Sequence, residues 1–303
     1  YTTTRDRDVF RRRSLPAVLW SDSLADPAPL RDRIEATATP TLLDRVAAEH
    51  RKGRRLYVGT TDLDTKRLVV WDLGAIAAGS DPARRRLFCD VILASCSVPA
   101  VFPPVAIDVE VDGRRGTELH ADGGVSRSAF LPPAVLGVGP TGEVDPAAPK
   151  GEVYVVLAGN LTPRHGPVER RLVRVSGEAL AGVLHAREEG DLLRLYLLAR
   201  HAGAGFHLAA VPADLKADGL ALGFDPRVMG RLFEAGVEVG RSGRWRGLPP
   251  GLGPGERPVP REGVCLKTVI RVPAGEGDAH GPAISPGVGR GGRPLLKLFE
   301  CGE

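Results

Sequence analysis

Few side chains in this sequence stand where chemistry could be done, and Asp122 comes first among them. It closes the run GTELHAD and is followed by Gly123 and Gly124. A carboxylate carried by a strand into a double-glycine turn can face a neighbouring loop and take a proton from a group presented there. His120 lies two residues earlier, on the same face of that strand. It reads as a hydrogen-bonded structural histidine, with a third catalytic place as the competing role. Ser95 and Ser97 stand at a helix end, where hydroxyls satisfy backbone groups. The four cysteines, Cys89, Cys96, Cys265 and Cys301, have no paired CxxC spacing, so neither a zinc site nor a disulfide framework is indicated. Cys89 and Cys96 read as small packed hydrophobes. The seven histidines hold no HxxxH pair, which argues against a helical two-histidine metal site. No metal or organic cofactor is implied.

The elements that must position Asp122 surround it in sequence. Helix signals begin at Pro82, expose Arg84, Arg85 and Arg86, bury Leu87, Phe88, Val91, Ile92 and Leu93, and end at Val98-Pro99, because a residue before proline avoids helical geometry. Val105, Ile107, Val109 and Val111 then alternate with polar or small residues, a half-buried strand that turns at Asp112-Gly113 into a partner ending at Asp122. Upstream, LYVGTTDL and LVVWDLG read as a hairpin. Tyr57, Trp71 and Trp20 read as core aromatics.

Three capped prolines mark helix starts: Asp26-Pro27, Thr39-Pro40 and Asp225-Pro226. VYVVLAG, a continuous apolar run, predicts a central strand covered on both faces. Helices are expected over 168–185 and 191–201, then a strand in FHLAAV. Alternating strands and helices make a layered α/β domain, helix on sheet on helix. We expect this domain to span residues 1–246, with an extension beginning near 136, and the Gly/Pro-rich segment 247–303 to be irregular apart from CLKTVIRV.

At 303 residues and 43% apolar, the chain can bury a sizeable core. Its net charge of +4 is dispersed arginine and reads as a solvated basic surface. No aromatic-interleaved basic motif suggests nucleic-acid binding, while attraction to anionic headgroups at a membrane surface stays open. No apolar run approaches the roughly 18 residues that span a bilayer. No signal segment is present, and the compartment is left open. The first residue is tyrosine, so the natural N-terminus is expected to lie further upstream.

Three pieces, TTDLDTKRLVVWD, ASCSVPAVFPPV and ADGG, together resemble the C-terminal half of a patatin-like phospholipase catalytic domain, strongly over residues 59–124 and loosely to about Trp245. The resemblance implies an acyl hydrolase fold, a lipid acyl ester substrate and a Ser-Asp dyad, with Asp122 as the proton acceptor and Gly123 and Gly124 leaving room for the serine elbow. One part of the pattern is missing: no G-x-S-x-G and no glycine-rich oxyanion loop occurs among the 303 residues. The short GRSG at 240–243 does not match. An N-terminally incomplete patatin-like domain is therefore expected, inactive and only marginally soluble by itself. Two other readings stand beside it: a lipid-binding or scaffold relative that has lost its nucleophile, and an acyltransferase of serine-histidine design in which His120 takes part.

Overall fold

The computed structural model describes residues 2–14, 21–111, 113–148, 150–162, 166–213, 215 and 223–252. All of them fall within the first of the two units into which the chain divides, 1–256 and 257–303. Trp20, Asp112, Cys265, Cys301 and the CLKTVIRV run lie outside the described residues.

Two short strands, β1 (Arg11–Arg12) and β2 (Ala25–Asp26), pair near the start. A four-stranded antiparallel sheet in the order β4-β3-β6-β5 then carries the centre of the chain, built from β3 (Tyr57–Asp62), β4 (Arg67–Asp72), β5 (Val105–Val111) and β6 (Arg114–Asp122). Both hairpins follow from alternation of side chains and from turn residues: Gly113, at φ +74°, serves the β5–β6 turn. Directly opposed residues of an antiparallel pair share a face. The registers Val58↔Trp71, Thr60↔Asp122, Asp62↔His120 and Val105↔His120 therefore place Trp71, Thr60, His120 and Asp122 together.

That face is covered by helices. Among the described residues, the α-helices of this part are α1 (Ala28–Thr37), α2 (Pro40–Arg51), α3 (Leu73–Ala78) and α4 (Arg84–Ser95). α4 lies on the sheet, and Phe88, Val91, Leu93 and Ala94 join Leu43, Ala47, Leu73, Val105 and Ile107 in the core. Thr39 caps α2 by accepting from the Leu42 amide at 3.2 Å, while Asp26 accepts from Ala28 at 3.0 Å. Strand LVVWDLG stops at Asp72, two residues sooner than the β-rich run suggests, because the Asp72 carboxylate accepts from the Ala75 amide at 2.9 Å and opens α3. The arginines at 84–86 are more than a solvated surface. Arg84 donates to the carbonyls of Ala77 and Gly79, Arg85 to those of Ala38 and Glu35, and Arg86 pairs with Asp90 at 3.5 Å.

The remainder holds β7 (Glu152–Asn160), α5 (Leu172–His201), β8 (Gly205–Val211) and α6 (Pro226–Ser242). Asp225 caps α6 through the Arg227 amide at 2.8 Å. β7 and β8 pair in parallel, and Val153, Val155, Phe206 and Leu208 pack with Leu192, Leu195 and Ala199 of α5. Two expectations change here. β7 is covered on one face only, with Tyr154 58% and Val156 75% exposed; an apolar run does not by itself distinguish two-sided from one-sided burial. The two helices expected over 168–201 are one. Residues 186–190 read AREEG, and a lone glycine after good helix formers costs about 1 kcal/mol, too little to break a helix packed elsewhere.

The first turns of α5 also leave Leu172 83% exposed. Changing Val156→Thr and Leu172→Gln together should raise the protein's solubility limit in light-scattering assays while shifting Tm by no more than about 2 °C, since exposed apolar side chains drive association more than folding. Among the described residues, no helix is long and apolar enough to cross a membrane.

Candidate active site

Asp122 is the last residue of β6, half-buried, and its backbone is held from two sides. Its amide donates to the Ser97 carbonyl at 2.9 Å, just past the end of α4, and its carbonyl accepts from Thr61 Oγ1 at 2.9 Å. The helix end and the strand end are thus joined at Asp122. The chain then enters a 3-10 turn over Gly123–Val125, where the Gly124 amide donates to Asp122 Oδ1 at 2.6 Å. Among the described residues no other group hydrogen-bonds this carboxylate. Burial pushes its pKa above the ordinary aspartate value, opposed by the Gly124 N–H and by the positive charge of Arg187. A carboxylate with one oxygen tied and the other open, poised above its usual basicity, suits proton abstraction.

His120 is fully buried and differently employed. Trp71 Nε1 donates to Thr60 Oγ1 at 2.8 Å, and the Thr60 hydroxyl lies 2.9 Å from His120 Nδ1. The Glu118 carboxylate, which can only accept, lies 3.1 Å from Nε2 and so draws the proton of the neutral ring to that nitrogen, leaving Nδ1 to accept from the Thr60 hydroxyl. The Trp71 ring meets the imidazole edge-on at a centroid distance of 5.4 Å. Both nitrogens are engaged in a buried polar chain beside Asp122, not on it. We expect His120→Ala to destabilise the protein by about 3 kcal/mol in urea unfolding, from the lost bonds and the void together. A rate loss matching that of an Asp122 variant would instead give His120 a catalytic part.

Ser95 and Ser97 return their hydroxyls to the Ile92 and Leu93 carbonyls, both at 2.9 Å. Cys96 departs from its expected role. It caps the C-terminus of α4 and is exposed, whereas Cys89 is buried. Desolvation raises the pKa of the Cys96 thiol, a hydrogen bond with Ser95 opposes it, and the Asp122 charge adds to the rise.

Gly123 and Gly124 have more immediate neighbours than an incoming loop. A Cβ on Gly123 would stand 2.5 Å from the Gly59 carbonyl oxygen on β3, and one on Gly124 would stand 2.8 Å from Asp122 Oδ1. Sequence reading missed two residues. Arg187, on α5, donates through both terminal nitrogens to the carbonyls of Gly124 and Val125. Asp191, one turn further on, accepts from the Ser128 amide at 2.9 Å. Neither sits in a recognisable motif, and only the three-dimensional return of α5 to the turn reveals them.

Residues 2–135, the Asp122–Gly124 turn included, match the family model of patatin-like phospholipases. The match covers less than half of the chain and ends before β7, α5, β8 and α6. No curated protein matches the sequence.

Proposed function

We propose that this chain supplies the base of a Ser-Asp dyad that hydrolyses acyl esters of lipids. The observation that carries the reading is the Asp122 carboxylate: half-buried at a strand end, raised in pKa by desolvation, and bonded by a single amide. In the reaction a serine hydroxyl attacks the ester carbonyl and its proton passes to Asp122. The tetrahedral oxyanion rests on backbone amides, and the proton returns to the departing alcohol oxygen. Water then repeats the sequence and frees the fatty acid. The serine and the oxyanion amides are required by this reading and are not among the 303 residues, which contain no G-x-S-x-G. The chain by itself is accordingly expected to show no turnover, and no step runs through a metal or organic cofactor. The enclosure of His120 supports aspartate, rather than a histidine, as the base.

Fatty-acid release from phosphatidylcholine vesicles, measured for the longest in-frame protein that contains this chain, tests the proposal. Release that stops when Asp122 is changed supports it. Vesicle binding with no release would replace it with a lipid-binding scaffold, and transfer of the acyl group to an added alcohol in preference to water would replace it with an acyltransferase.

A further inference from the structure

The turn that carries Asp122 belongs to the segment matched by the family model, but what holds that turn from outside does not. α5 runs beside it, and two successive turns of the helix are fastened there. The first fastening is Arg187, whose terminal nitrogens donate to the carbonyls of Gly124 and Val125. The second is Asp191, 3% exposed, which accepts from the Ser128 amide at 2.9 Å and pairs with Arg194 at 2.9 Å and Arg127 at 3.7 Å. Charge-assisted bonds of this kind are shorter and stronger than neutral ones. Among the described residues the buried Nε of Arg187 has no hydrogen-bond partner, while both terminal nitrogens hold the two carbonyls.

The consequence for Asp122 is mechanical. Gly124 uses its carbonyl, in the 124–125 peptide, for Arg187 and its amide, in the 123–124 peptide, for Asp122 Oδ1, so anchoring the first peptide restricts the second through the two backbone torsions of a single residue. We propose that Arg187 is a positioning residue for Asp122, bracing the Gly123–Val125 turn so that the Gly124 amide stays on the carboxylate. Its functional meaning rests on the reading of Asp122 as the base. Among the described residues, the charged and titratable groups that act electrostatically with the carboxylate are Arg187 from α5 and Cys96 from the end of α4. Arg187 acts against the desolvation of Asp122, while the Asp122 charge disfavours ionisation of Cys96. A brace from outside the matched segment implies that the part of the chain beyond residue 135 completes the site instead of decorating it.

The test uses the 303-residue chain, needs no turnover, and follows two readouts by NMR: the titration of the Asp122 carboxyl carbon and hydrogen exchange at the Gly124 amide. Arg187→Met removes fork and charge together. Its Asp122 midpoint should move upward, and Gly124 should exchange about tenfold faster or more, as expected for losing charge-assisted bonds. Arg187→Lys keeps the charge without the fork, so it should leave the midpoint near that of the wild type and still release the Gly124 amide. If Arg187→Met does not fold, Arg187→Gln takes its place with the same expectations. Gly124 exchange that is unchanged in both the Lys and the neutral variant overturns the brace. The hydrolase reading fails by a different result, an Asp122→Asn enzyme with full activity, which leaves the brace untouched.

Discussion

Asp122→Asn is expected to lower kcat by about 10⁴-fold in a protein that also holds the nucleophile, with KM little changed, because asparagine keeps the shape and cannot take a proton. The amide oxygen can still accept from the Gly124 N–H, so the turn survives the substitution. Two pH effects accompany it. For the wild type, kcat/KM should fall as pH drops through the Asp122 pKa, at a point above the ordinary aspartate value of about 3.9. Stability runs the other way. A folded-state pKa raised above the unfolded one means that the fold favours the protonated acid. That contribution is complete below about pH 3.9 and is lost as pH rises through the folded value. At neutral pH the ionised carboxylate therefore costs stability, and Asp122→Asn should melt at a higher temperature than the wild type, the gap closing below about pH 3.9. Thermal melts of the 303-residue chain at the two pH values decide this without any activity. A variant that melts lower at pH 7 would mean that the carboxylate is stabilised in the fold, which is the opposite of what a base in this position requires.

What could be read from the sequence was whatever local chemistry decides. The end of α4 before Pro99, the alternation that makes β5, and the caps at Thr39 and Asp225 each depend on residues within a few positions of one another. Together they place Asp122 at a strand end in a glycine turn. What could not be read depends on distant partners. The buried Asp90 answers to Arg31, 59 positions away, at 2.7 Å. Arg187 meets Gly124 across 63 positions, and nothing in AREEG announces it. The coverage of β7 was misjudged for a related reason. VYVVLAG is apolar on both faces, but only the packing of α5 decides that Val153 and Val155 are buried while Tyr154 and Val156 are not. Cys96, read as a packed small hydrophobe, is exposed just past the last residue of α4, although its neighbour Ser97 is buried.

Gly123→Ala is expected to cost about 3 kcal/mol of folding stability, the upper part of the usual range for forcing a group into a filled space. The glycine is needed for room and not for an unusual backbone, because neither Gly123 nor Gly124 has a positive φ. Its missing Cβ leaves space for the backbone of β3: the added carbon would stand 2.5 Å from the Gly59 oxygen and 2.7 Å from the Gly59 carbonyl carbon. Those atoms belong to a strand hydrogen-bonded on both sides, by β4 and β6, so they cannot yield without disturbing the sheet. Gly59 gives the control from the same strand. Its own Cβ would meet the Phe130 ring at 2.7 Å and Leu68 Cδ1 at 3.1 Å, side-chain atoms that can rotate away, so Gly59→Ala should cost about 1 kcal/mol. Gly124→Ala should separate stability from chemistry. Its Cβ would press on Asp122 Oδ1 at 2.8 Å, which displaces the carboxylate while leaving the sheet intact, so activity should fall much further than stability. Urea unfolding of the three variants ranks them. A ranking in which Gly59→Ala equals Gly123→Ala would mean that the strand backbone moves as freely as a phenyl ring, and Asp122 would then lack the rigid support on which its role as a base depends.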